Sequence, residues 1–203
     1  MSSLSYYYSS MNAGKSLYLM KSYYDFVHYK ENGSVDDSNI ICLTSALDDR
    51  KGEGKIFSRP INKTLDAYAV NSNDEVLDII THHMKTINNE INLVLVDEAQ
   101  FFTKEQIKEF CYIVDELEIN VMCFGLRTNF KGELFEGSSE LLALSDKIRE
   151  VKNKCSHNGC HKKATMTARV DENGKKVRDG KEIETGAEDK YISLCRRCYS
   201  NIG

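Results

Sequence analysis

Leu4-Ser5-Tyr6-Tyr7-Tyr8-Ser9-Ser10-Met11-Asn12-Ala13-Gly14-Lys15-Ser16 is the stretch from which the rest of the chain is read. Leu4 to Tyr8 is a short aromatic run of the kind that favours a β-strand. Small polar residues follow at once. From Ser16 to about Glu31 the apolar positions Met20, Tyr23, Tyr24 and Val27 recur at helical spacing, and Asn32-Gly33 ends that helix. A loop between strand and helix that closes on Gly-Lys-Ser suits phosphate. Small side chains let successive backbone N–H groups turn inward around an anion, and the helix N-terminus adds partial positive charge. The lysine reaches the outer phosphates and the hydroxyl reaches Mg²⁺. Ser9 stands where the general pattern has its first glycine.

Moving outward, Ile40 to Thr44 reads as a second buried strand. Ser72 with Glu75 has the spacing of a capping box, opening a helix whose Val76, Ile80, His83, Met84 and Ile87 share a face. Ile91 to Val96 is a third strand and ends in Asp97-Glu98. Thr103 with Gln106 is a second capping box, before a helix striped by Ile107, Phe110, Cys111, Val114 and Leu117. Val121 to Phe124 makes a fourth strand, and Leu141 to Ile148 passes from helix to strand. Strands alternating with helices predict an α/β fold, a mostly parallel sheet covered on both faces. An aspartate at a strand end beside a phosphate loop holds Mg²⁺ through the loop hydroxyl or a bound water. Side chains alternate along a strand, so Glu98 is expected to point away from Asp97, towards whatever attacks the terminal phosphate.

The composition sets outer limits. The chain has 203 residues with 41% hydrophobic and 29% charged, an ordinary globular balance. A net charge of −4 speaks against a protein that works by neutralising nucleic-acid phosphates. No run approaches the roughly 20 apolar residues of a membrane span, and the start lacks the basic flank and apolar centre of a signal peptide. A reducing, cytoplasmic setting is expected, so the seven cysteines are thiols or metal ligands rather than disulfides. Cys155-x4-Cys160 and Cys195-x2-Cys198 form two close pairs, and four thiolates suit a closed, structural Zn²⁺ site. His157 or His161 could replace one ligand. Cys42, Cys111 and Cys123 fall at core positions, and His28, His82 and His83 carry no metal spacing. The texture changes near residue 152, which divides the chain into a nucleotide-binding domain, 1–152, and a zinc-closed segment, 153–203. The same parts also fit an ATP-driven nucleic-acid remodelling module, though not its expected basic groove, or a nucleotide switch without catalysis.

Several stretches together resemble the zinc-containing thymidine kinases, close to the bacterial and bacteriophage branch. They are Tyr8 to Ser16, Leu47-Asp48-Asp49-Arg50, Val94 to Phe101 (VLVDEAQF), Gly125 to Phe130 (GLRTNF), and Gly186 to Tyr191 running into Cys195. In that branch serine at position 9 is a familiar variant. The resemblance implies transfer of the ATP γ-phosphate to the 5′-hydroxyl of thymidine; deoxyuridine, which lacks only the methyl group, is expected to be accepted too. The same resemblance implies a RecA-like core with a zinc-bearing lid and a homotetramer, while the charge balance and the lack of a long apolar run predict no nucleic-acid or membrane partner. Carried onto matching positions, Glu98 would be the general base. Ser9, Ser10, Met11, Asn12, Ala13, Gly14, Lys15 and Ser16 would hold the ATP phosphates, with Arg50, Asp97, Glu98, Ala99 and Gln100. Ser16, Asp97 and Asp48 would complete the Mg²⁺ shell. Met11, Phe101, Phe130, Thr167 and Tyr191 would line the nucleoside pocket, and the backbone of Glu182, Ile183, Glu184, Thr185 and Gly186 would hold the base. Cys155, Cys160, Cys195 and Cys198 would bind zinc.

Overall fold

The first strand, β1 (Leu4–Ser9), lies inside a parallel sheet rather than at its edge. This is seen in the computed structural model, which describes residues 1–29, 39–48, 52, 54–180 and 190–202. On one side β1 pairs with β8 (Lys147–Glu150), and on the other with β7 (Asn120–Leu126). Beyond β7 come β6 (Leu93–Asp97), β2 (Ile40–Ser45) and β5 (Tyr68–Val70). Among the described residues the sheet order is β5-β2-β6-β7-β1-β8, and every pairing is parallel. Parallel neighbours need crossover connections, and four helices serve: α1 (Lys15–Tyr29), α2 (Val76–Ile87), α3 (Lys104–Asp115) and α4 (Glu136–Leu144). The expected α/β class is therefore what the chain adopts.

The two-residue period of the strands sorts the helices onto opposite faces. Ile41, Leu43, Val94, Val96, Val121 and Cys123 point to the side where Val76, Ile80, Ile107, Phe110 and Leu141 of α2, α3 and α4 pack. Ile40, Cys42, Leu93, Leu95 and Phe124 point to the other, against Leu19 and Met20 of α1. Each of these strands is thus apolar on both of its faces, as a sheet buried on both sides requires. Ile56 joins the α1 side from a hairpin, β3 (Lys55–Ser58) with β4 (Lys63–Asp66), for which the sequence reading has no element. Cys42 and Cys123 are core residues and Cys111 packs against the core, as expected.

Thr103 and Gln106 form both bonds of their capping box. The Ser72–Glu75 box does not form. The residue preceding α2 is Glu75, without a side-chain cap, and the Leu77 N–H instead donates to Glu109 Oε2 of α3 at 2.8 Å. Gln106 Nε2 donates to the carbonyls of Asn71 (2.8 Å) and Asp74 (3.0 Å), fixing the approach to α2 from the same neighbour. A tertiary carboxylate has displaced the local cap. Helix α1 reaches Tyr29, and the Asn32-Gly33 stop lies outside the described residues.

After β8 the chain builds two small antiparallel ladders, β9 (Asn153–Lys154) with β10 (Lys163–Ala164) and β11 (Met166–Arg169) with β12 (Tyr191–Leu194). The short helix α5 (Arg196–Asn201) follows. Cys155, Ala168, Leu194 and Cys195 form a separate core here. Among the described residues no helix is long and apolar enough to cross a membrane.

Candidate active site and metal centre

Strands β1 and β6 run parallel with one strand between them, so the loop after β1 and the acidic end of β6 emerge at the same sheet edge. The loop turns through left-handed backbone at Asn12 (φ 58°) and Gly14 (φ 82°). Both types tolerate that region, glycine without steric cost. The Gly14 carbonyl accepts the first helical bond, from Tyr18 N–H at 2.9 Å, which leaves the opening N–H groups of α1 facing the loop. Lys15 is only 9% exposed. The Ser9 hydroxyl is turned into its own loop, donating to the Ser10 carbonyl at 2.7 Å.

Ser16 Oγ donates to Asp97 Oδ2 at 2.9 Å, joining the loop to the strand end. Asp97 is buried, and its Oδ1 has no hydrogen-bond partner among the described residues; neither has Thr44 Oγ1, on the residue paired with Asp97 across β2 and β6. Burial, followed by the neighbouring Glu98 charge, pushes the Asp97 carboxyl up to about 7, against the opposing pull of Ser16 and Lys15. A buried carboxylate with one oxygen unpaired, beside a serine hydroxyl, fits a hard divalent cation. Asp48 follows β2, with its N–H on the Ser45 carbonyl at 3.0 Å, at the edge where β6 ends.

Strand alternation does not set the place of Glu98. That residue has left β6 and adopts left-handed backbone (φ 49°, ψ 39°), heading a 3-10 turn, Ala99–Phe101. Gln100 is buried in that turn. Its Nε2 donates to Glu98 Oε2 at 2.6 Å and its Oε1 accepts the Leu126 N–H at 2.8 Å. Gln100, expected at the nucleotide, is thus bonded within the protein at both side-chain heteroatoms. Phe101 packs edge-on to Phe135, with ring centroids 5.6 Å apart.

The residues expected around a nucleoside are partly gathered. Met11 N–H donates to Thr167 Oγ1 at 3.2 Å, so that N–H already has a partner. The Met11 carbonyl accepts from Asn153 Nδ2 at 2.9 Å and from the Ser193 hydroxyl. Three side chains of the C-terminal segment therefore clasp one residue of the phosphate loop. Phe130 is buried beside Tyr191 (centroids 6.5 Å) and beneath the Arg169 guanidinium (5.7 Å). Arg50 and residues 182–186 lie outside the described residues. Asn153 and Ser193 were not foreseen, because a hydrogen bond spanning 142 or 182 positions leaves no periodic trace. The same holds for Gly125 and Gly137, whose missing Cβ atoms make room for the turn that carries Gln100.

The four sulfur atoms of Cys155, Cys160, Cys195 and Cys198 all lie within 4.8 Å of one another. Tetrahedral zinc with bonds of about 2.3 Å sets its sulfurs about 3.8 Å apart, so the donor set and spacing fit. His157 and His161 are exposed and stand outside this group. The Cys198 N–H donates to Cys195 Sγ, which pulls that thiol below its usual range and favours the thiolate a metal needs. Tyr199, next in line, donates its hydroxyl to the Phe130 carbonyl at 2.7 Å, tying the cysteine cluster to the aromatic pocket.

A strand–loop–helix that closes on Gly-Lys-Ser, with a buried aspartate bonded to the loop serine and Glu98 next to it, is the arrangement of a phosphate-loop protein. Comparison narrows the class: the thymidine kinase family model matches residues 2–199, and the chain belongs to that family. The chain is 44% identical over 197 residues to the thymidine kinase of Shewanella oneidensis, covering 97% of this chain and 96% of that one. It is 42% identical to that of Haemophilus influenzae (98% and 96% covered) and 44% identical to that of Yersinia pseudotuberculosis (98% and 95%).

Proposed function

We propose that the protein transfers the γ-phosphoryl group of ATP to the 5′-hydroxyl of thymidine, and more weakly of deoxyuridine. The observation that carries this reading is the 2.9 Å bond between Ser16 and Asp97, with Glu98 next in the chain on left-handed backbone. Lys15 and the loop N–H groups hold the transferring phosphoryl oxygens. Ser16, Asp97 and Asp48 would hold Mg²⁺, which when bound neutralises charge on the phosphate oxygens. Glu98 accepts the hydroxyl proton while the 5′-oxygen bonds to the γ-phosphorus and the bond to the β–γ bridging oxygen breaks, releasing ADP. Arg50 serves the phosphates. Met11, Phe101, Phe130, Thr167 and Tyr191 surround the nucleoside, and the backbone of 182–186 reads the base. Fixed backbone donors and acceptors cannot rotate to suit cytosine, and each unpaired buried group costs about 1–3 kcal/mol.

Residues 1–152 form the kinase domain and 153–203 the zinc-closed lid, which excludes water as a competing acceptor. Zinc on the four cysteines is structural, and the working form is a cytosolic homotetramer. An ATP-driven nucleic-acid remodeller is not favoured, given the family and the net charge of −4. The test is incubation with Mg·ATP and thymidine, deoxyuridine, deoxycytidine or deoxyadenosine, measuring the monophosphates formed. Thymidine is expected to lead deoxycytidine by about 10²-fold or more in kcat/KM. ATP hydrolysis stimulated by single-stranded DNA, with no thymidine monophosphate formed, would refute the reading.

A further inference from the structure

We infer that Gln100 is the positioning residue for Glu98: its side-chain amide fixes the carboxylate that takes the hydroxyl proton, and it makes no contact with nucleotide. The inference rests on the reading of Glu98 given above. Glu98 stands on left-handed backbone at a strand end, a conformation that non-glycine residues keep only where their surroundings enforce it. A glutamate side chain on such a turn has three rotatable bonds and needs something to hold it. Gln100, 2% exposed, supplies this with the 2.6 Å bond from Nε2 to Glu98 Oε2.

The amide can sit only one way round. Its Oε1 faces the Leu126 N–H at 2.8 Å, so its NH₂ must face the carboxylate; a flipped amide would set donor against donor and acceptor against acceptor. Leu126 is itself held. Its carbonyl accepts from Tyr6 Oη at 2.8 Å and Ser138 Oγ at 2.6 Å, and it pairs with Ser9 in the β1–β7 register. The phosphate loop and the base are thereby referred to one point of the sheet. Two close approaches keep this arrangement. A Cβ on Gly125 would lie 2.9 Å from Gln100 Oε1, and one on Gly137 would lie 2.6 Å from the carbonyl oxygens of Ala99 and Phe102. Both heteroatoms of Gln100 are engaged inside the protein, so a phosphate could recruit it only by breaking one of these bonds.

Gln100→Glu keeps the shape and the acceptor for Leu126 but sets a carboxylate oxygen where the donor was. The expected result is a fall in kcat for thymidine of about 10–100-fold, the scale of a misplaced catalytic group, with KM for ATP and thymidine within about threefold. In a Glu98→Gln background the same change should alter the residual kcat less than about twofold, because the partner it acts through is gone. Retention of more than half of kcat overturns the inference. So does an equal loss in both backgrounds, which marks a general effect on the fold, or a large rise in KM for ATP at preserved kcat, which marks a nucleotide ligand. The second measurement needs no turnover. The Gln100 side-chain amide resonance, assigned through its backbone, should move in Glu98→Gln, and an unmoved resonance refutes the link. Wild-type protein that makes no thymidine monophosphate would sink the kinase reading alone, and the amide resonance would still decide whether Gln100 holds Glu98.

Discussion

Removing the charge at Asp97 is expected to stabilise the protein at neutral pH while silencing it. The Asp97 carboxyl is buried, with Ser16 on one oxygen and no partner among the described residues for the other, and its pKa rises from 3.8 to about 7. Between these two values the folded chain keeps a proton that the unfolded chain has lost. Stability therefore falls as pH rises across that window, and the whole penalty is present above pH 7. Three pH units at about 1.4 kcal/mol each make the penalty about 4 kcal/mol. An amide in place of this carboxyl would carry no charge at any pH but would leave its hydrogens short of partners, at about 1–3 kcal/mol. The charge term wins, and Asp97→Asn should gain about 1–3 kcal/mol at pH 8, a few degrees in Tm for a chain of this size. Thermal unfolding without magnesium or nucleotide, from pH 5 to 8.5, measures it. The gain should grow with pH, and Mg·ATP should raise the Tm of the wild type more than that of the variant. An equal or lower Tm for Asp97→Asn at pH 8, or a difference that ignores pH, would refute the reasoning.

Glu98→Gln should lower kcat by about 10²–10⁴-fold with little change in ATP affinity, read from initial rates; more than a tenth of wild-type kcat would remove Glu98 from the role of base. Gly137→Ala drives a methyl group into two backbone carbonyls at 2.6 Å, so denaturant titration should show a loss of about 1–3 kcal/mol, and an unchanged midpoint would contradict the packing. Metal analysis should find about one zinc per chain, and Cys195→Ser should lower it and expose the C-terminal segment to protease, since zinc binding there is folding free energy. Full occupancy in that variant would take Cys195 out of the ligand set.

The apolar runs at 40–44 and 91–96 were legible because a strand buried on both faces is apolar at successive positions, and the striped helix after Thr103 because burial of one face imposes a period of 3.6. The Thr103–Gln106 box was legible for a related reason: both partners sit within one helical turn. Ser72 with Glu75 offered the same local pattern and lost to Glu109, a residue 32 positions beyond the N–H that it caps. The β3–β4 hairpin and the edge strand β5, over 55–70, carried no clean period and passed unread. At the site, Gly-Lys-Ser, Asp97-Glu98 and the cysteine pairs could be found because their chemistry demands particular residue types at short spacing. By itself, then, the sequence determined the α/β class, the phosphate loop, the acidic strand end and the thiol quartet. Only the tertiary structure decided that Ser16 meets Asp97, that Glu98 stands on left-handed backbone bonded to Gln100, and that Asn153, Thr167 and Ser193 clasp Met11. Those contacts join residues far apart in the chain, and a hydrogen bond depends on where the fold brings two groups, not on how many residues lie between them.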